Sequence, residues 1–274
     1  MLRRIRRRFF RNTTSIVYKK ALNKQVNLEW WNKKNNLGDA LSETVFSWML
    51  EEKQIEKNKK VSKTIHLFGI GSVVGMGNFD ATIWGSGIHT FRTIKDIVNQ
   101  SKYRKYDIRA VRGPITAEIL TSCGYKCPKI YGDPAVLMKN IYKPSNIEKK
   151  YKYSAILHIE HQDIDRFENM HYINMNTTDY KKVIDEIVAS EVIISSSLHG
   201  IILSETYGVP AIFLKHGMSN ELLKFYDWYF STGRNNVKMA NTMQEAVNMV
   251  PMELPNLEEM QEKLIQKFPY DLWQ

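Results

Sequence analysis

The sequence lacks the features of disulfide-rich, zinc-binding and membrane-spanning proteins. Its 274 residues include two cysteines, Cys123 and Cys127, which are too few for a disulfide framework or a four-ligand zinc site. No apolar run approaches the ~20 residues that cross a bilayer. No apolar segment follows the charged N-terminus, as it would in a secretion signal. We therefore expect a protein of the reducing cytoplasm without a membrane-spanning helix.

Acidic residues are scarcer than basic ones, with 29 Asp and Glu against 39 Lys and Arg and a formal net charge of +10. Six arginines lie in residues 1–11, among Leu2, Ile5, Phe9 and Phe10 at near-helical spacing. Such a segment either contacts an anionic lipid surface or forms a solvated basic tail. No nucleic-acid-binding module is recognisable. The charge therefore suits anionic small substrates and an anionic membrane better than nucleic acid.

Short apolar strands that end in glycine- or proline-containing turns recur along the first half of the chain. They begin at residues 26, 65, 81, 108 and 129. With helices between them, they predict a parallel α/β domain of Rossmann type over residues 26–142. A polar stretch with a proline follows, and strands resume at 154–159. We therefore expect a basic segment over 1–25 and a second Rossmann-like domain over 143–274 that is closed by C-terminal helices.

The most informative segment is a strand–turn–helix–strand unit over residues 192–214. The apolar run 192–194 predicts a buried strand, 198–207 a helix and 210–214 the next strand. His199 then lies at the carboxyl end of a strand and the start of a helix, where parallel α/β proteins bind ligands. A histidine there can transfer a proton or bind phosphate, or it can serve as a local hydrogen-bonding group.

Arginine and aspartate residues occupy comparable turns. Arg112 ends one predicted strand, with Arg109 expected on the same face, and a guanidinium there holds a carboxylate or phosphate or pairs with a neighbouring acid. Gly38 and Asp39 open a helix whose free N–H groups attract anions. The carboxylate of Asp39 either caps these N–H groups or serves as a general base for a hydroxyl of the substrate. Asp133 is a ligand or a turn-forming residue.

Small and polar residues complete the candidate set. Ser72 and Ser86 lie in glycine turns that either approach a ligand closely or only reverse the chain. Ser197 precedes the histidine turn, and Glu205 follows on the same helix, where it contacts a hydroxyl or pairs with Lys or Arg. The remaining histidines, at 158, 161 and 171 among others, have no spacing of a known metal site, and we expect no metal.

Four segments, in their order, resemble the polysaccharide pyruvyl transferase family. They are residues 36–41, 111–116, 131–137 and 196–200. The resemblance implies two Rossmann-like domains facing a cleft, similar to GT-B glycosyltransferases. It implies an enzyme that adds pyruvate from phosphoenolpyruvate to a sugar as a ketal, without a separate cofactor. The chain departs from the pattern at Ser197, where many relatives have arginine.

The resemblance and the positions of the candidate residues in turns together predict their roles. His199 is expected to be the acid/base or phosphate-side catalyst, and Asp39 the base for an acceptor hydroxyl. The residues expected to bind substrate are Arg112, Arg109, Gly38, Ser72, Ser86, Asp133, Ser197 and Glu205. The expected acceptor is a sugar of a surface polysaccharide or of its lipid-linked precursor, met at the inner face of the membrane.

Two alternatives stay open. The run from Glu205 to Pro210 is similar to the nucleotide-facing helix of GT-B glycosyltransferases, which use a nucleotide sugar. The basic N-terminus and the serine at position 197 also permit a non-catalytic, membrane-associated scaffold of polysaccharide assembly. Release of phosphate from phosphoenolpyruvate, release of a nucleotide, or neither, distinguishes the three hypotheses.

Overall fold

The computed structural model describes residues 21–31, 35–77, 79–158, 164, 166–218 and 221–274. The basic segment of residues 1–11, and with it the predicted lipid contact, lies outside the described residues. Across the described ranges, no helix combines the length and the apolar character needed to cross a bilayer.

The first half of the chain forms a parallel sheet. Its strands are β1 (Val26–Glu29), β2 (Ile65–Phe68), β3 (Ala81–Trp84) and β4 (Tyr106–Ala110), and they lie side by side in this order. The helices of this half are α1 (Leu37–Glu51), α2 (Phe91–Gln100), α3 (Pro114–Ser122) and the short α4 (Met138–Ile141). The predicted alternation of strands and helices is confirmed here.

The strand predicted at residues 129–131 is wrong. Tyr131 makes one isolated parallel bridge to Val111. The chain then turns at Gly132, whose φ of 146° suits glycine, and Asp133 accepts a hydrogen bond from Ala135 N at the start of a 3-10 helix over Pro134–Leu137. Pairing stops because the turn begins one residue after the bridge.

The second half forms another parallel sheet. Its strands are β5 (Tyr151–Ile156), β6 (His171–Tyr172), β7 (Ser190–Ser195), β8 (Ala211–Leu214) and β9 (Met239–Ala240), in the spatial order β6–β5–β7–β8–β9. Its helices are α5 (Tyr180–Val188), α6 (Leu198–Thr206), α7 (Leu222–Ser231), α8 (Met243–Val247) and α9 (Glu258–Gln266). The strand order reverses between β5 and β7. In open α/β sheets, ligands bind at such a switch point, outside the carboxyl ends of the strands.

Helix α6 lies in the core, and all of its residues are buried. Its middle is apolar, so burial removes a large hydrophobic surface from water. The hydroxyls of Ser204 and Thr206 donate to the carbonyls of Gly200 and Ile202, four residues earlier, at 2.6 and 2.7 Å. These two hydroxyls of the buried helix are thus paired within the helix itself.

The C-terminal segment packs against elements of the first half. Trp84 Nε1 donates to the carbonyl of Leu264 at 2.9 Å, and the Tyr270 hydroxyl donates to the carbonyl of Met49 at 3.1 Å. These contacts fasten the end of the chain to β3 and α1. The two parallel sheets with flanking helices confirm the predicted α/β class.

Candidate active site

A cavity of about 260 Å³ lies where strands of both sheets end. The residues that line it mostly follow strands or begin helices: Trp31, Asn36, Asp39, Ser72, Val73, Met76, His89, His158, Ser197, Leu198, His199, Glu221 and Lys224. The cavity includes the carboxyl ends of β5 and β7, the switch point of the second sheet. Topology alone therefore favours this cavity as a ligand site.

Three helices begin at this pocket. The first turns of α1, α6 and α7 contribute Asp39, His199 and Lys224 to its lining. The N-terminal N–H groups of a helix have no partner within the helix, and the helix dipole places partial positive charge there. Three such ends and Lys224 place positive charge at the pocket wall, beside the carboxylates of Asp39 and Glu221, and this positive charge suits an anionic ligand.

The imidazole of His199 faces the carboxylate of Asp133. His199 Nε2 lies 3.7 Å from Asp133 Oδ2, too far for a hydrogen bond, and neither atom has a partner among the described residues. Asp133 is fully buried, and the His199 side chain is 10% exposed. Buried polar atoms without partners are uncommon in folded proteins. Beside a cavity, this pair is the strongest candidate for a group that exchanges protons.

Gly38 lies against the other side of the same ring. A side chain at this position would collide with the His199 imidazole, so the first turn of α1 can pack on the ring only because residue 38 is glycine. Gly38 does not line the cavity. It contacts the histidine, and its predicted role in binding substrate stays a prediction.

Asp39 combines burial with positive neighbours. Its Oδ2 accepts a hydrogen bond from Asn36 Nδ2 at 2.7 Å. Burial raises the pKa of Asp39 to about 6, although the charges of His199 and Lys224 act in the opposite direction. A carboxyl with this pKa is ionised at neutral pH and still accepts a proton readily, which is the property of a general base.

Three titratable side chains at the pocket, those of Lys224, Glu221 and His89, were not predicted. Lys224 Nζ donates to Glu221 Oε2 at 2.7 Å. Burial, helped by the charge of Lys224, lowers the pKa of His89 to about 4, so this imidazole is neutral at pH 7. A signal was present in the sequence, since Lys224 and Asp227 interrupt an otherwise mostly apolar helix at a spacing that puts both on one face.

Arg112 does not reach the pocket, which corrects its predicted role as a donor clamp. The side chain is fully buried. Its guanidinium donates to Ser72 Oγ at 2.6 Å, to the Ile88 carbonyl at 2.7 Å and to Asp227 Oδ2 at 3.2 Å. Every guanidinium nitrogen is engaged inside the protein, so Arg112 touches the site only through Ser72, which lines the cavity.

The Arg-Gly-Pro segment joins α3 to α7. Besides Arg112, the carboxylate of Asp227 accepts bonds from Thr116 N at 3.0 Å and Thr116 Oγ1 at 2.7 Å. A side chain at Gly113 would collide with the backbone carbonyl of Asp227, so glycine lets α7 approach. The motif therefore fixes the helix that carries Lys224.

Arg109 lies away from the pocket, and the expectation that it shares the face of Arg112 is wrong. The two residues are three positions apart, which places them on opposite sides of an extended strand. Arg109 instead pairs with Asp107, two positions earlier, at 2.8 Å and with Asp271 at 2.7 Å.

Ser86 and Glu205 also lie outside the cavity lining. Ser86 is fully buried, and its Oγ donates to the Gly71 carbonyl at 2.8 Å, so it shapes the turn. The Glu205 carboxylate pairs with Arg234 at 2.6 and 2.8 Å and accepts from Trp228 Nε1 at 2.9 Å. Of the predicted site residues, the structure brings Asp39, Ser72, Ser197 and His199 to the pocket wall, with Asp133 and Gly38 in contact with His199.

The chain is similar to two curated proteins. It is 27% identical over 214 residues to succinoglycan biosynthesis protein ExoV of Rhizobium meliloti (strain 1021), a match that covers 74% of this chain and 64% of that protein. The chain thus spans less than two thirds of this relative. It is 24% identical over 220 residues to an uncharacterized protein of Acanthamoeba polyphaga mimivirus, with 75% of this chain and 74% of that protein covered.

A solved structure and a family model also match. The fold is similar to that of an uncharacterized protein from Klebsiella pneumoniae subsp. pneumoniae NTUH-K2044, with a TM-score of 0.52 at 15% identity over 81% of this chain and 94% of that one. At this identity the likeness concerns the fold alone. The family model for polysaccharide pyruvyl transferase matches residues 82–217, which include Asp133 and His199. Over these residues, just under half of its length, the chain is similar to the polysaccharide pyruvyl transferase family.

Proposed function

We propose that this protein transfers pyruvate from phosphoenolpyruvate to a sugar of a surface polysaccharide or its lipid-linked precursor, as a ketal. One observation carries the proposal: a single pocket joins three helix N-termini and Lys224 to the side chains of His199 and Asp39. Phosphoenolpyruvate carries a carboxylate and a phosphate on the same carbon skeleton. It needs positive groups for binding and proton donors and acceptors for reaction, and this pocket supplies both.

The chemistry requires several proton movements. The methylene carbon of the donor gains a proton, and two sugar hydroxyl oxygens bond to the adjacent carbon. The bond from that carbon to the phosphate oxygen breaks. The two hydroxyls lose two protons, of which one balances the new methyl group and the other leaves with phosphate. A site for this reaction therefore needs at least one acid and one base.

In this proposal, His199 protonates the methylene carbon or the departing phosphate. Asp133, at 3.7 Å from Nε2, orients the ring and balances the charge of its protonated form. Asp39, with its pKa raised to about 6, accepts a proton from an acceptor hydroxyl. The helix N-termini hold the anionic groups of the donor in place while these transfers occur.

The two alternatives lose support at particular residues. The glycosyltransferase hypothesis relied on Glu205, and this carboxylate is already bonded to Arg234 and Trp228. The scaffold hypothesis gives no reason for burying Asp133 Oδ2 and His199 Nε2 without partners beside a cavity, an arrangement that costs stability.

The proposal is tested on the purified full chain with phosphoenolpyruvate and a short water-soluble oligosaccharide acceptor. We expect phosphate release that depends on the acceptor, and a pyruvyl ketal on the product by mass spectrometry. Parallel reactions contain nucleotide sugars in place of phosphoenolpyruvate. Nucleotide release there, or no product in either reaction, would contradict the proposed transfer.

A lipid-linked acceptor at the inner leaflet would give residues 1–11 a purpose, because each near-surface cation contributes about 1 kcal/mol of attraction to anionic lipid. Deletion of residues 1–11 should abolish salt-sensitive binding to vesicles that contain phosphatidylglycerol. It should leave turnover of a water-soluble acceptor unchanged. Replacement of the six arginines by glutamine is the matched control for charge. Binding that persists in the deletion variant would refute the lipid contact.

A further inference from the structure

Lys224 is a buried lysine at the wall of the pocket, and packing alone does not require a charged residue there. The side chain is 6% exposed, and it lies in the first turn of a helix that is otherwise rich in aromatic and aliphatic residues. Lysine is among the residues that proteins bury least, because removing an ammonium group from water is costly. An apolar residue would fill the same place at lower cost, so the retained charge requires a reason.

The charge of Lys224 acts on the centre of the pocket. Burial is the main cause of the raised pKa of Asp39 and of the lowered pKa of His89; the charge of Lys224 opposes the first shift and adds to the second. Both residues line the cavity from the first half of the chain. Of the described lining residues, Lys224 is the one whose side chain is a permanent cation at neutral pH. Arg112 is enclosed behind Ser72 and does not compete for this role.

The partner of Lys224 in this structure is a carboxylate from the same pocket. Glu221 Oε2 lies 2.7 Å from the ammonium, and Glu221 lines the cavity. The carboxylate of phosphoenolpyruvate has the same charge and geometry as that of Glu221. It can therefore make the same contact with Lys224.

We infer that Lys224 binds the carboxylate of the donor and that Glu221 occupies the ammonium until the donor arrives. The inference rests on the proposed function and assigns its carboxylate subsite. Asp227 acts as a positioning residue, because it lies one helical turn after Lys224 and is bonded to Arg112 and Thr116. This anchoring fixes the start of α7, and with it the ammonium, at the pocket wall.

The test measures binding of phosphoenolpyruvate by calorimetry, without acceptor, to the full chain and its variants. Lys224→Met keeps most of the length of the side chain but removes the charge, and it should weaken binding about 10- to 100-fold, the range for losing a charge-assisted hydrogen bond. Lys224→Arg should restore part of the affinity. Glu221→Gln should tighten binding, because it removes the competing carboxylate.

Two controls separate the possible outcomes. Lys263 makes a similar ion pair with Glu259 at 2.6 Å, but this pair is exposed, so Lys263→Met should leave binding unchanged. Inorganic phosphate, used as a second probe, should lose much less affinity for Lys224→Met than phosphoenolpyruvate does, because it has no carboxylate to pair with the ammonium. Equal losses for both ligands would overturn the carboxylate assignment. Weaker binding of phosphoenolpyruvate by Glu221→Gln would overturn the proposal that the donor carboxylate replaces Glu221 as the partner of Lys224.

The failure of this inference differs from failure of the proposed function. If the natural protein binds phosphoenolpyruvate and Lys224→Met binds it within twofold, the transfer proposal stands and the role of Lys224 is refuted. If the natural protein binds no phosphoenolpyruvate, the proposed donor is refuted, and the carboxylate subsite with it. Thermal unfolding of each variant confirms that the compared proteins are folded.

Discussion

Two buried polar clusters in this protein differ in how completely their atoms are paired. In the first, both oxygens of Glu205 accept bonds from Arg234, and Trp228 adds a third at 2.9 Å. In the second, His199 Nε2 and Asp133 Oδ2 face each other at 3.7 Å without a bond. The paired cluster lies outside the pocket lining, and the unpaired one lies beside the pocket. Pairing consumes the hydrogen-bonding capacity that a ligand would need.

Arg112 and Asp227 form another buried cluster whose polar atoms are paired. The sequence pattern assigned Arg112 to the ligand, yet its guanidinium and the Asp227 carboxylate are fully buried and bonded to each other. Their contribution is to hold α3 against α7. The comparison therefore separates residues that support the pocket from residues that act in it, and three variants test this separation.

Arg112→Met should have the largest effect, and on stability. It leaves Asp227 as a buried carboxylate without its cation, which costs about 3–5 kcal/mol. Urea unfolding should show this loss. The double variant Arg112→Met/Asp227→Leu should recover part of the stability, because it also removes the isolated charge. If Arg112→Met had the stability of the natural protein but bound the donor more weakly, Arg112 would be a ligand-binding residue after all.

His199→Ala should have the next largest effect, on turnover. Loss of a positioned acid or base lowers the rate by about 100-fold or more, and the melting temperature should change little because the side chain makes no hydrogen bond among the described residues. His171 is the matched control, since its Nε2 also lies 3.7 Å from a carboxylate, that of Glu186, but away from the pocket. If His171→Ala lowered turnover as much as His199→Ala, the position of His199 beside the pocket would not explain its effect.

Asp39→Asn should have the smallest effect of the three, and it should be stabilising. Burial raises the pKa of Asp39 from 3.8 to about 6, so the folded state holds this proton more tightly than the unfolded chain. Stability is then lost as the pH rises through this window, by at most about 3 kcal/mol for two pKa units. Asparagine removes that loss.

Chemical unfolding at several pH values checks the Asp39 prediction. Asp39→Asn should be more stable than the natural protein at pH 7.5, and the two should converge below pH 4. Turnover of the variant should fall at pH 7.5, because the proposed base is absent. Equal stabilities across the whole pH range would show that Asp39 pays no desolvation penalty on ionising.

Much of the fold was predictable because its signals are local. The alternation of apolar runs and turns located most strands of both sheets. It placed β5 at 154–159 instead of Tyr151–Ile156, missed β9, and predicted a strand at residues 129–131, where a bridge stops after one residue. Strand β6 covers only His171–Tyr172, too few residues to show an alternating pattern. Strand ends depend on which neighbour continues to pair, and neighbours come from distant parts of the sequence.

The candidate site also contains residues that the local sequence places and residues that only tertiary packing places. The sequence by itself determined that Asp39 and His199 stand at helix starts, because a strand, a turn and a helix follow one another within a few residues. Only the tertiary structure decided that Arg112 is enclosed, since its partner Asp227 lies 115 residues later. It also decided that Lys224 enters the pocket, because the packing of α7 against α3 sets where that helix begins. Local patterns specify elements and their ends, whereas the choice between a buried ion pair and an open binding group depends on contacts that form only when distant segments pack together.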